Sequence, residues 1–180
     1  MTYCAYYNLL LRFLIVFLVI HLPIQANASM QQFRVTEVHD GDTVSIRTSS
    51  FFGFFVKTEK VRLIGIDSPE INQEPWGKRS KRHLKKLLSD NDWIVKIEYD
   101  IDKKDRYDRI LAYLWGKNNT FINEQMVLDG YAVLHTVPPN VKYVDRLTRA
   151  QKIAQQQKKG IWGKHGLLMS PEEWRKKHNR

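Results

Sequence analysis

The chain has 180 residues, a formal net charge of +10, 43% hydrophobic and 27% charged residues, and one cysteine. That apolar content is enough for a packed core in one domain with an appendage, while a lone cysteine excludes a disulfide framework and cysteine-built zinc sites. The basic excess points to a polyanionic partner, whether nucleic acid, an acidic membrane surface or an acidic polymer.

Residues 1–28 read as a secretory signal peptide. Arg12 precedes the apolar run Phe13 to Ile20, and Ala26-Asn27-Ala28 supplies the small residues of a cleavage site after Ala28. An uncleaved membrane anchor is the alternative, but the run falls short of the roughly 20 apolar residues that span a bilayer. Cleavage removes Cys4 and leaves a body at 29–168 followed by a basic tail at 169–180. His39, His83, His135, His165 and His178 show no metal-ligand spacing and read as surface or packing residues.

Gln32 to His39 reads as a first strand. Asp40-Gly41 predicts a hairpin turn in which glycine takes a positive φ, and Asp42 to Arg47 alternates as the second strand. Thr48 to Lys60 is a longer connection carrying four phenylalanines around Gly53. It is read as an extended hairpin packed on the body, with an exposed apolar tip as the other reading. Val61 onward is the third strand, and it ends at Asp67-Ser68-Pro69-Glu70, where proline removes a ladder donor. Arg62 and the two carboxylates beyond the strand end need a twist or bend to converge.

From Trp76 the pattern turns helical. Leu84, Leu87 and Leu88 share a stripe, and Lys78, Arg79, Lys81, Arg82, Lys85 and Lys86 crowd the other faces. Trp93 to Tyr99 and Ile110 to Trp115 are the fourth and fifth strands, separated by the charged turn Asp100 to Arg109. A short helix covers Asn123 to Asp129 and stops at Gly130. A long one runs from about Lys142 to Lys159, with Val144, Leu147, Ala150, Ile153 and Ala154 on its apolar face. In the tail, Trp162, Pro171 and Trp174 are placed to pack back on the body, and Arg175 to Arg180 is expected to fray. Five short strands with a helix between the third and fourth predict a β-rich α+β fold, the five-stranded Greek-key OB-fold barrel, carrying three helices.

Three segments carry chemistry. They are Asp40-Gly41-Asp42-Thr43, then Arg62 to Asp67-Ser68-Pro69-Glu70, then Asp105-Arg106-Tyr107-Asp108-Arg109 leading into Leu111-Ala112-Tyr113. Singly, each has a plain structural reading: a turn residue, a capped strand end, an ion pair. Together, in this order and on this strand plan, they resemble the staphylococcal (thermo)nuclease family over about residues 31–163.

The resemblance implies Ca2+ ligation by the Asp42 and Asp67 carboxylates and the Ser68 main-chain carbonyl. It implies Glu70 as the base toward the attacking water and Arg62 and Arg109 as grips on the scissile phosphate. Asp105, Arg106 and Tyr107 match a segment near the metal or the nucleotide. The implied activity is calcium-dependent hydrolysis of DNA and RNA with little sequence preference, preferably on single strands, leaving 3′-phosphate ends. The signal peptide makes an exported protein the expectation, secreted or periplasmic and touching a membrane only if its N-terminus stays uncleaved; it is expected to be a monomer without an obligate protein partner. A barrel that binds nucleic acid without cutting it is the competing class.

The chemistry is coherent: two guanidiniums make paired hydrogen bonds to phosphate oxygens, and a hard cation polarises another. Four departures from the family are visible. The link from Asp42 to Arg62 is longer, and that from Glu70 to Trp76 is shorter. Thr136 stands where the family has a stacking tyrosine, with Tyr131 and Tyr143 nearby in sequence. Asp108 replaces a turn glycine, and aspartate tolerates the left-handed conformation required there.

Overall fold

The structure is a computed structural model that describes residues 30–50 and 55–178. Five strands close a barrel in the order β1-β2-β3-β6-β5: β1 (Gln32–Val38), β2 (Thr43–Ser50), β3 (Phe55–Leu63), β5 (Ile94–Glu98) and β6 (Ile110–Trp115). All neighbours are antiparallel except β3 and β6, which run parallel, and β5 returns to β1 to close the ring. This is the OB-type barrel expected from the element order.

Two further strands lie outside the ring. β4 (Ile66–Asp67) pairs with β7 (Val133–Leu134) in a separate two-stranded sheet. The helices are α1 (Trp76–Asp90), α2 (Ile122–Leu128), α3 (Val144–Gln156) and α4 (Pro171–His178).

The core follows from alternation with one exception. Val35 and Val38 both point inward although they are three residues apart, because a bulge between Val35 and Glu37 shifts the register. Val44, Ile46, Val61, Leu63, Ala112 and Leu114 fill the barrel. Leu84 and Leu88 of α1, Ile122 and Met126 of α2 and Leu147 of α3 cover it. On α1 the buried line is Trp76, Ser80, Leu84 and Leu88, each one helical turn apart. Ser80 is accommodated there because its hydroxyl donates to the Tyr131 carbonyl at 2.6 Å.

Several expectations are corrected. The sequence suggested three helices; the described residues hold four, because residues 171–178 form α4 instead of fraying. The stretch expected as a connection from Thr48 is largely strand, with β2 and β3 paired from Thr43↔Arg62 out to Ser50↔Phe55. The stretch is therefore an extended hairpin, but Val56 near its outer end is 65% exposed instead of packed on the body; its tip at 51–54 lies outside the described residues, as does the signal-peptide segment. Gly41 does not adopt a left-handed φ. Its absent side chain leaves room for Ser80, whose Oγ would lie 1.9 Å from an added Cβ. Ile153, assigned to the apolar face of α3, is 40% exposed; Leu147, Ala150 and Ala154 make the buried line. Among the described residues no helix is long and apolar enough to cross a membrane.

Asn123, wholly buried at the start of α2, ties three elements together. Its Oδ1 accepts from the Leu114 amide of β6 at 2.9 Å, and its Nδ2 donates to the Ile64 carbonyl just past β3 at 2.9 Å. Asn123→Ala strands both backbone groups without water, and a loss of about 3 kcal/mol in unfolding free energy is expected. Denaturant titration of the two proteins measures it. A loss under about 0.5 kcal/mol would mean that the groups find other partners.

Candidate active site

The bend that the sequence demanded after Arg62 is made by Gly65, whose φ is +80°. That conformation favours glycine, and a Cβ there would also lie 2.5 Å from Leu147 Cδ1 and oblige the leucine to shift. The chain leaves β3, turns through Gly65 and returns as β4, pinned by the β7 pairing. Asp67 thereby comes back over Arg62, and Arg62 Nη2 donates to Asp67 Oδ1 at 3.1 Å.

Asp42 reaches the same guanidinium from the β1–β2 turn. Its amide donates to Asp40 Oδ1 at 2.9 Å, and its carbonyl accepts from the Leu63 amide at 2.8 Å, which locks the turn to the end of β3. Asp42 Oδ1 then accepts from Arg62 Nη1 at 2.8 Å, and Oδ2 accepts from the Ser68 amide at 2.6 Å. Asp42 and Asp67 are 5% and 2% exposed. Burial pushes the Asp42 carboxyl up to about 6, with Asp40 and Asp67 adding to the rise; Arg62 and the Ser68 amide oppose it.

Arg109 is aimed by its own turn. Asp105 Oδ1 accepts from the amides of Tyr107 and Arg109 at 2.9 and 3.0 Å, and Oδ2 accepts from Arg109 Nε at 2.7 Å. Asp108 sits at φ 62°, the left-handed position expected for it. Arg109 Nη1 and Nη2 have no hydrogen-bond partner among the described residues. The 65% exposed Tyr107 ring lies under both Arg106 and Arg109, at 4.8 and 5.5 Å from their guanidinium carbons.

All nine residues singled out from the sequence, Asp42, Arg62, Asp67, Ser68, Glu70, Asp105, Arg106, Tyr107 and Arg109, line one cleft of about 810 Å³. They arrive from the β1–β2 turn, β3, β4 with the loop after it, and the turn before β6. The two tyrosines near Thr136 do not join them. Tyr131 stacks on His83 at 4.1 Å, and Tyr143 packs against Tyr113 and bonds Glu98. His135 and Val137 line that part of the cleft instead.

Arg175 of α4, which also lines the cleft, was missed from the sequence. Its Nη1 donates to Glu70 Oε1 at 2.7 Å and Asp67 Oδ1 at 3.1 Å, and its Nη2 donates to Asp67 Oδ2 at 2.8 Å. These bonds hold the guanidinium strongly in its charged form, the hydrogen bonds to Asp67 contributing most. A signal for α4 was present in Ser170-Pro171-Glu172-Glu173, an N-cap serine with proline at the first helical position and glutamate at the third. The Ser170 hydroxyl accepts from the Glu173 amide at 3.2 Å, and the Glu173 carboxylate accepts from the Ser170 amide at 2.7 Å.

Three carboxylates thus face two guanidiniums. Among the described residues, no three His, Cys, Asp or Glu side chains form a ready metal cage. The donor set nevertheless suits a hard divalent cation: two nearly buried carboxylates share one cationic partner, and the chain at Ser68 is held against Asp42 by its amide. So few protein oxygens would leave most of the coordination to water.

The family model of staphylococcal nuclease homologues matches residues 60–164. The chain is 37% identical over 142 residues to a thermonuclease of Staphylococcus hyicus, covering 76% of this chain and 79% of that protein. It is 36% identical over 137 residues to a thermonuclease of Staphylococcus intermedius, covering 73% and 76%. An uncharacterized endonuclease of Escherichia coli is 33% identical over 129 residues, covering 72% and 75%. On the barrel, the three motif segments and these matches, the chain belongs to the staphylococcal nuclease homologue family.

Proposed function

We propose that this protein is an exported, calcium-dependent nuclease that hydrolyses phosphodiester bonds of DNA and RNA with little sequence preference. Family membership and relatives that are thermonucleases and endonucleases support the hydrolase. The observation that carries the reading is the convergence of Asp42, Arg62, Glu70 and Arg109 on one cleft from three separate segments.

Each side chain has a task that its chemistry fits. The terminal nitrogens of Arg109 take two oxygens of the scissile phosphate, and Arg62 takes another. Both offset the negative charge that builds on phosphorus oxygens as water attacks in line. Glu70 accepts the proton of that water, and the 5′ oxygen leaves, so a 3′-phosphate remains. Asp42, Asp67 and the Ser68 carbonyl would hold Ca2+, which when bound would polarise a phosphate oxygen.

Asp105 acts on substrate through Arg109, which it orients. Tyr107 offers an exposed ring for a base to stack on, and Arg106 beside it adds charge, features that favour a single strand. The exposed basic face of α1 adds to the positive field of the protein. The chain works as a monomer after cleavage at Ala28, in the periplasm or the medium, with the body at 29–168 and a tail from 169.

With purified protein, single-stranded DNA and RNA should be degraded when calcium is present and left intact when it is chelated. The new 5′ ends should accept phosphate from a kinase without phosphatase treatment. Cleavage unchanged by chelation would overturn the metal dependence. Strongly salt-dependent binding without turnover would indicate a binding module instead.

Arg109→Ala removes a charge-stabilising donor pair and should lower kcat/KM by about 10²–10³-fold. Glu70→Gln should lower kcat by about 10²–10⁴-fold. Asp105→Ala leaves both groups in place and should cost less than Arg109→Ala, with most of the loss in kcat. Equal rates for wild type and Arg109→Ala would refute the assignment of Arg109.

A further inference from the structure

α4 is built to fold locally and to hold the body weakly. Its capping pair, proline start, acidic first turn and basic last turn all favour the helix by itself. Yet Pro171 is its only buried residue. The segment before it is fastened more firmly. Trp76 Nε1 donates to the His165 carbonyl at 3.1 Å, the Leu167 amide donates to the Ile161 carbonyl at 3.0 Å, and Gln73 Nε2 donates to the Met169 carbonyl at 2.9 Å. Firm attachment therefore ends at Met169. Beyond it, the polar contact between α4 and the cleft is the Arg175 guanidinium.

That guanidinium lies on the oxygens that the proposed reaction needs. It takes both carboxylate oxygens of Asp67, which the cation would use, and Oε1 of Glu70, which water would use. With Arg175 in place, three of the roughly four acceptor sites of Asp67 are taken, and Glu70 is paired to a fixed positive charge. Without it, Asp42 and Asp67 would keep Arg62 as a shared partner, and Glu70 would lose the ion pair it makes among the described residues.

We propose that α4 is an internal gate: Arg175 holds Asp67 and Glu70 in a closed, cation-free state, and a divalent cation opens the site by competing for the same oxygens. The proposal rests on the reading of Asp67 as a cation ligand and Glu70 as the proton acceptor. The competition is reciprocal, so whatever factor Arg175 takes from cation affinity, the cation takes from α4 docking. Gln73 couples the two, because its Oε1 accepts from the Glu70 amide at 3.3 Å while its Nε2 holds Met169, the hinge point.

Calorimetric titration of the purified protein with calcium, alongside Arg175→Ala, Arg175→Lys and Ser170→Ala, tests the gate without recourse to activity. Arg175→Ala should bind calcium about tenfold more tightly than wild type. Arg175→Lys keeps the charge but loses the paired geometry and should fall between them. Ser170→Ala weakens the helix cap while leaving Arg175 intact and should shift affinity in the same direction as Arg175→Ala. In wild type, hydrogen exchange of residues 171–178 should speed up when calcium is added.

Equal or weaker calcium binding by Arg175→Ala, in a protein that still cleaves nucleic acid, overturns the gate and leaves the nuclease standing. So does α4 exchange that calcium leaves unchanged. Absence of both calcium binding and cleavage in wild type and Arg175→Ala alike overturns the gate and the nuclease reading together.

Discussion

The site depends on one costly arrangement: two carboxylates held almost out of water on a guanidinium that they share. Unpaired, such groups would protonate or draw in water. Asp42 and Asp67 stay together because Arg62 lies between them and because the Ser68 amide bonds the far oxygen of Asp42. Every neighbouring element serves that placement. The β2–β3 ladder sets Thr43 opposite Arg62, and the Leu63 amide clamps the Asp42 carbonyl. Gly65 folds the chain back, and β7 holds the two residues of β4 so that Asp67 cannot swing away.

The barrel supplies rigidity and the turns supply chemistry. Asn123 joins the ends of β6 and β3 from the helix side, so the Gly65 bend springs from a fixed point. The Asp105 turn is nearly self-contained: one carboxylate satisfies two amides and orients the arginine four residues on. Its geometry needs little from the core, and it stands 65% exposed at Tyr107. That independence lets a mixed-charge loop carry a precise guanidinium.

What the sequence disclosed, and what it did not, follows from the range of the forces involved. The five barrel strands and three of the helices were legible because alternation and helical spacing are local. The nine cleft residues were legible because their three segments recur as short motifs, and the strand order brings those segments together. The pairing of β4 with β7 was not legible, since two residues carry no periodicity and the pair forms only in the folded chain. Gly41 was read for its backbone freedom, whereas what matters is Ser80, a residue on a helix far along the chain. Ile153 obeyed the helical pattern and still faces water, because spacing identifies a stripe but not its edge. Arg175 looked like one more charge in a basic tail. Its partners lie about a hundred residues away, and only the local capping signal at Ser170 was there to be seen.

The two arginines in the carboxylate cluster differ in a way that divides their labour. Arg62 sits on a central barrel strand, its side chain only 15% exposed, with Leu63 O as an additional acceptor. Moving it would break the β2–β3–β6 ladder. Arg175 is 34% exposed at the side chain and rides on a short helix with one buried residue. Moving it disturbs little beyond its own bonds. A cluster of three carboxylates needs more positive charge than Arg62 provides, and the missing charge must be either permanent or exchangeable. The fold puts the permanent charge where the backbone cannot yield and the exchangeable one where it can. With α4 docked, the cleft is internally neutralised to within one charge. With a divalent cation in place of Arg175, the same carboxylates would be fully balanced, leaving Arg109 with free donors facing a phosphate.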